Sequence, residues 1–193
     1  DENHVCTREV FDVNTFTYHT CGYQGKDIST MDIELAYQYA YYTGKPCKPA
    51  VTVTDPETGE EFFGQSTYGD YMPYWENNVN VGTATVQVVG YSDGPCYGSA
   101  TVTFEVVPQN VKTEDFTYTT TTNSVHLSWN PSLGATKYIV YQNVNGTWTR
   151  LGIVSPPEYT VTGLDQGTYE FRIRPFATVD GKDYYSTKTV SYT

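Results

Sequence analysis

Met31-Asp32-Ile33-Glu34-Leu35-Ala36-Tyr37-Gln38-Tyr39-Ala40-Tyr41 alternates strictly between two kinds of residue. Every odd position is apolar or aromatic, and every even one is polar or small. Period two is the pattern of a strand with one buried face. Ala, Leu, Glu and Met would also suit a helix, but the alternation and the tyrosines favour a strand. The stretch therefore predicts a single strand. The same pattern recurs on both sides of it, in Val86/Val88, Val102/Phe104/Val106, Val125/Leu127/Trp129 and Tyr169/Phe171/Ile173. Turn signals separate these runs: Glu57-Thr58-Gly59, Asp93-Gly94-Pro95, Asn145-Gly146 and Asp180-Gly181. Short, regularly spaced strands with no helical pattern predict an all-β chain built from β-sandwiches.

A length of 193 residues suits one large domain or two ordinary ones. Charged residues make up 17% and hydrophobic ones 38%, the balance of a globular chain. The formal charge of −11 argues against nucleic acid or an anionic membrane surface as partner, since both require dense Lys/Arg. The charge is uneven. Residues 1–107 hold 15 acids against 4 bases, and residues 108–193 hold 7 of each. The step at Pro108-Gln109-Asn110 predicts a domain boundary. No apolar run has the length of a membrane span, and no basic, apolar leader opens the chain, which predicts a mature or excised soluble segment without membrane insertion.

Several spaced motifs lie in the second half. Ser124-Val125-His126-Leu127-Ser128-Trp129-Asn130 ends in a tryptophan, Lys137-Tyr138-Ile139-Val140-Tyr141 follows, and Leu164 precedes Tyr169 by five residues. Together they resemble a fibronectin type III domain. The resemblance implies a buried Trp129 and a tyrosine corner at Tyr169, whose hydroxyl would bond back to backbone. It also implies a spacer or scaffold role, and there is no Arg-Gly-Asp loop.

The first half carries Tyr42-Thr43-Gly44-Lys45-Pro46, Lys48-Pro49-Ala50-Val51-Thr52-Val53, Gly69-Asp70-Tyr71, Asn77-Asn78, Asn80 to Val86, Tyr97-Gly98 and Thr103-Phe104-Glu105-Val106. These resemble the bacterial immunoglobulin-like repeat of large secreted and surface proteins of Gram-positive gut and rumen bacteria. The two resemblances imply a hairpin-like segment at 1–30, an immunoglobulin-like domain at 31–108 and a fibronectin type III domain at 109–193. They also imply a secreted or cell-surface modular protein. Cys47 and Cys96 depart from the repeat's pattern. In an immunoglobulin-like sandwich the first and last strands are neighbours, which implies a Cys47–Cys96 disulfide.

Cys6 and Cys21 flank a predicted hairpin near Asp12-Val13-Asn14. With the turn at Val13-Asn14 the two cysteines face each other, as a disulfide requires. With the turn at Asp12-Val13, His4-x-Cys6 and His19-x-Cys21 would set two His and two Cys on one face, a tetrahedral zinc set. An even cysteine count in an exported chain favours the disulfides over the zinc set, with free thiols as the third alternative.

Catalytic material is scarce. His4, His19 and His126 are the only histidines. His126 shares a strand face with Ser128, which does not make a triad. Glu57, Glu60 and Glu61 suit a solvated turn better than a glycosidase pair. There is no EF-hand loop, phosphate loop or HExxH. No enzyme and no cofactor are expected. Tyrosine, by contrast, is abundant, with 19 residues. Tyr68, Tyr71, Tyr74 and Trp75 crowd one stretch flanked by Asp70 and Glu76, a candidate surface for a glycan or protein ligand, although the resemblance to the repeat implies that Tyr71 and Tyr74 pack on the sandwich and leaves Tyr68 and Trp75 less constrained. The sequence thus leaves open a spacer, an adhesin-like binding module, or an accessory domain beside another module of the same polypeptide.

Overall fold

A computed structural model describes residues 8–12, 17–21, 25–64, 69–91, 95–187 and 189–192. Among them there is no α-helix, only two single 3-10 turns at Ile28–Thr30 and Thr113–Asp115. The chain forms two compact units, Asp1–Gln38 with Lys48–Glu76 and Ala84–Phe104, and Tyr39–Cys47 with Asn77–Thr83 and Glu105–Thr193.

The N-terminal strands are β1 (Arg8–Asp12), β2 (Thr17–Cys21), β3 (Lys26–Asp27), β4 (Asp32–Leu35), β5 (Tyr39–Tyr41), β6 (Val51–Thr54), β7 (Glu61–Phe62), β8 (Tyr71–Glu76), β9 (Gly82–Gly90), β10 (Cys96–Tyr97) and β11 (Ser99–Val107). β1 and β2 form the expected hairpin. One sheet runs β4-β6-β7 and another β5-β11-β9-β8, while β3 pairs in parallel with β10. The stretch from Met31 to Tyr41 is not one strand. Its first part, β4, joins β6, and its second part, β5, runs parallel to β11 in the other sheet. Alternation reports which face is buried within a sheet and cannot show the chain crossing from one sheet to another between Leu35 and Tyr39. The core is a layer of fully buried Ile28, Val53, Val86 and Val88 with Phe104.

Asp55, just beyond β6, ties the start of the chain to this sandwich. Its buried carboxylate accepts from Lys26 Nζ at 2.6 Å, the Glu57 N–H at 2.9 Å and the Thr58 hydroxyl at 2.9 Å. The Lys26 hydrogen bond foremost, with the Glu57 N–H, holds the Asp55 carboxyl down to about 2.

The C-terminal strands are β12 (Phe116–Thr120), β13 (Ser124–Trp129), β14 (Lys137–Val144), β15 (Thr147–Val154), β16 (Glu158–Thr162), β17 (Phe171–Val179), β18 (Lys182–Tyr185) and β19 (Val190–Tyr192). A β12-β13-β16 sheet packs on a β15-β14-β17-β18 sheet in which β19 also joins β17. The core between them takes Val125, Leu127, Trp129 and Val161 from one sheet and Tyr138, Val140, Phe171 and Ile173 from the other. Trp129 meets Tyr138 edge to face at 5.3 Å, the favoured geometry for an aromatic pair. The Tyr169 hydroxyl donates to the Asp165 carbonyl at 2.9 Å, which is the tyrosine corner read from Leu164 and Tyr169. Asn145-Gly146 and Asp180-Gly181 close the β14–β15 and β17–β18 hairpins. All four residues have positive φ, the backbone twist a two-residue hairpin needs.

Candidate functional site

The aromatic stretch becomes β8, the edge strand of its sheet, antiparallel to β9. Pro73 fits there because a prolyl nitrogen has no proton to give to a further strand. Alternation along β8 splits the aromatic set. Tyr71 turns inward, 2% exposed, and its hydroxyl donates to the Val51 carbonyl of β6 at 2.6 Å. A Cβ on Gly64 would come within 2.6 Å of the Tyr71 ring, so Gly64 is the residue that leaves the ring its place. Burial pushes the Tyr71 phenol above its ordinary value of 10.0. Tyr71 is thus a core residue, not a ligand contact.

Trp75 shares the parity of Tyr71 and is half-buried. Lys48 Nζ lies 5.3 Å from its ring centroid. Tyr74 points the other way. It is 50% exposed, opposite Gln87 of β9 and between Met72 and Glu76 on the outward face. Asp70 is half-buried. Its carboxylate accepts the Phe63 N–H at 2.7 Å. Tyr68 lies outside the described residues. Of the four aromatic candidates, β8 presents Tyr74 to solvent and Trp75 only in part.

The cysteines also differ from expectation. Cys47 and Cys96 are free thiols. Cys47 precedes β6, in the three-stranded sheet, and Cys96 lies on β10, which pairs with β3. Neither stands on the neighbouring first and last strands that the bridge assumed. Burial, the first cause, raises the Cys96 thiol to about 11, and burial also raises that of Cys47. In the N-terminal hairpin the register sets Cys21 opposite Arg8 and His19 opposite Val10. This is a third register, shifted from both the disulfide and the zinc pairings. Cys6 and His4 lie outside the described residues. Among the described residues no group of three or more His, Cys, Asp or Glu is gathered for a metal ion.

His126 bonds Thr160 Oγ1 through Nδ1 at 2.9 Å, and Nε2 lies 3.7 Å from Glu158. The Ser128 hydroxyl is hydrogen-bonded to Thr117 instead, at 2.8 Å.

A second side-chain array was missed by sequence reasoning. On the outward face of the β15-β14-β17-β18 sheet the Arg172 guanidinium lies 3.7 Å from the Trp148 ring centroid, and Arg174 lies 4.6 Å from Tyr185. Tyr185 stacks on Phe176 at 5.3 Å, and Lys137 Nζ lies 5.8 Å from the Phe176 ring. The i, i+2 spacing of Arg172 and Arg174 was the available signal, since such residues share one strand face.

No family model matches the chain, and no curated protein matches it. Among solved structures, that of FN3tt mut is 24% identical over 46% of this chain and 97% of its own, with a TM-score of 0.36. A two-domain fibronectin type III segment of chicken tenascin is 15% identical over 61% of this chain and 66% of its own, with a TM-score of 0.41. Titin domains A168–A170 are 18% identical over 82% of this chain and 63% of their own, with a TM-score of 0.27. The fold class stands on the strand topology: an all-β chain of two β-sandwiches, an immunoglobulin-like one followed by one of fibronectin type III arrangement.

Proposed function

We propose that the chain is a non-catalytic part of an exported modular protein, secreted or held at the surface of a Gram-positive bacterium, and that its N-terminal sandwich is a spacer or scaffold between neighbouring modules. The observation that carries this reading is Tyr71. A member of the suspected ligand set, it spends its ring in the core and its hydroxyl on Val51. Asp70, the acid beside it, is likewise committed to backbone. A rigid sandwich braced by such internal contacts suits transmission of position better than recognition.

One observation favours a second reading, an adhesin-like module that binds a glycan or protein. Tyr74 stands half exposed on an outward sheet face beside Met72. Arrays of plant polysaccharides, mucins and host proteins, probed with the wild-type chain and with Tyr74→Ala and Trp75→Ala, separate the two. Binding that either substitution abolishes overturns the spacer reading of this sandwich. Absence of any signal sensitive to them supports it.

A further inference from the structure

We propose that the C-terminal sandwich binds a neutral saccharide chain in the cavity between β12, the β12–β13 turn and the 164–169 loop. The site is independent of the spacer reading of the N-terminal sandwich. Tyr118 is the first reason. It stands opposite Leu127 in the β12–β13 register, and opposite residues of an antiparallel pair share one sheet face. Leu127 is 1% exposed in the core, yet Tyr118 is 60% exposed. The ring therefore has the parity of a core residue without the cover of one. Thr120, opposite the buried Val125, repeats the arrangement one step further along β12. With Phe171 at the start of β17, they line a cavity of about 740 Å³. Ligand sites span about 300–1,000 Å³, so this one has the size to hold a ligand.

The second reason is the chemistry of the lining. Leu127, Leu164, Phe171 and the Tyr118 ring supply an apolar floor. Thr120, Thr122, Asn123, Gln166 and Thr168 supply a rim of hydroxyls and amides, and these side chains have no hydrogen-bond partner among the described residues. Asp165, exposed, is the one charged side chain among the described lining residues. A sugar ring has the matching form, with a C–H face to lie on a tyrosine ring and hydroxyls around its edge. An ionised carboxylate has two acceptor oxygens for adjacent hydroxyls. The lining has no cation to pair with a phosphate, sulfate or uronate, and the Asp165 charge repels them. A purely apolar ligand would strip water from the rim and return no hydrogen bonds.

The third reason is that the walls are fixed in advance. The Tyr169 hydroxyl holds the 164–169 loop through the Asp165 carbonyl. The Leu164 N–H donates to the Asn123 carbonyl at 3.0 Å, which joins that loop to the β12–β13 turn. Within the turn the Thr121 N–H donates to the Ser124 carbonyl at 2.9 Å, and the two hydroxyls bond each other at 2.6 Å. These bonds set the backbone and leave the rim side chains unengaged. A site built before its ligand arrives spends less binding free energy on ordering itself.

The test is methyl NMR of the full chain, titrated with cellohexaose, xylohexaose, mannohexaose and laminarihexaose at millimolar concentration. Hexagalacturonate and 2-naphthol serve as comparison probes, one anionic and one apolar. At least one neutral hexasaccharide is expected to bind, with shifts centred on the methyls of Val125, Leu127 and Leu164. Tyr118→Ala should weaken it by about fivefold or more, the loss of a stacking ring. Asp165→Asn keeps the size of the side chain and the carbonyl that Tyr169 uses, and should weaken binding about threefold. Tyr74→Ala, on the other sandwich, should change the affinity by less than about twofold, which separates this site from an adhesin-like one there. Thermal melts of each variant verify folding, and Asp165→Asn, at an exposed position, keeps the test decisive if Tyr118→Ala unfolds. Absence of binding by all the neutral hexasaccharides would overturn the proposal. So would an affinity that Tyr118→Ala and Asp165→Asn leave unchanged, tighter binding of hexagalacturonate, or binding of 2-naphthol alone.

Discussion

Tyr71→Phe removes a single oxygen, and its effect separates a core tyrosine from a binding one. The Tyr71 hydroxyl donates to the Val51 carbonyl at 2.6 Å inside the sandwich, where the residue is 2% exposed. Deleting the donor leaves a buried acceptor without that partner, a loss of about 1–3 kcal/mol. Tyr71→Ala empties the ring's volume as well and should cost about 3–5 kcal/mol. Urea denaturation followed by tryptophan fluorescence reads both as midpoint shifts at constant slope. The pH dependence adds a second signature. Burial raises the folded phenol above its ordinary 10.0, so the folded state holds this proton more tightly than the unfolded one. The stabilisation is fully present below pH 10 and is lost as pH rises through the folded value. Wild type should therefore lose stability in alkali more steeply than Tyr71→Phe. If Tyr71→Phe matched wild type in midpoint and in alkaline slope, the core assignment of Tyr71 would be wrong, and with it the main support for the spacer reading.

Other substitutions probe the remaining contacts. Gly64→Ala should destabilise by about 1–3 kcal/mol through overpacking against the Tyr71 ring, measured in the same denaturation assay. Asp55 has a folded value of about 2 against an ordinary 3.8, so its stabilisation is present above pH 4 and lost as pH falls toward 2; Asp55→Asn should flatten the melting temperature across that window. Trp129→Ala should cost about 3–5 kcal/mol, and Tyr169→Phe about 1 kcal/mol at the corner, both read by chemical denaturation. Cys96, buried and raised to about 11, should resist alkylation at pH 8 until the chain unfolds, while half-buried Cys47 reacts sooner; recovery of a Cys47–Cys96 peptide under non-reducing mapping would contradict the free thiols.

The parts of the fold that were legible depend on short-range pattern. Leu164 and Tyr169 sit at the spacing of a tyrosine corner and Trp129 ends an alternating strand, and the structure forms the corner at Tyr169 and buries Trp129 in the core. Asn145-Gly146 and Asp180-Gly181 announced their hairpins because few residues accept positive φ twice in succession. What failed required partner information. The Met31–Tyr41 alternation holds through a change of sheet, because the parity of side chains says nothing about which strand receives the hydrogen bonds. The hairpin register likewise could not be read from its cysteines, and β1 and β2 pair Arg8 with Cys21. A shift by an even number of residues changes the partners while keeping every side chain on its face, so the hydrophobic pattern does not report it.

The two aromatic arrays differ for the same reason. Tyr71, Tyr74 and Trp75 are close in sequence, and closeness suggested one surface. Along a strand neighbouring residues diverge, and parity sends Tyr71 inward and Tyr74 outward. Trp148, Tyr141, Arg172 and Tyr185 are scattered over four strands, and no window of the sequence holds them together. Strand pairing gathers them, with Asn143 opposite Trp148, Tyr141 opposite Arg172 and Phe176 opposite Tyr185. A linear cluster on a β-strand is divided between two faces, whereas a face is assembled from residues far apart in the chain. In this protein the sequence-local cluster is divided, with Tyr71 in the core and Tyr74 exposed, whereas Tyr141, Trp148, Arg172 and Tyr185, far apart in the chain, share one face.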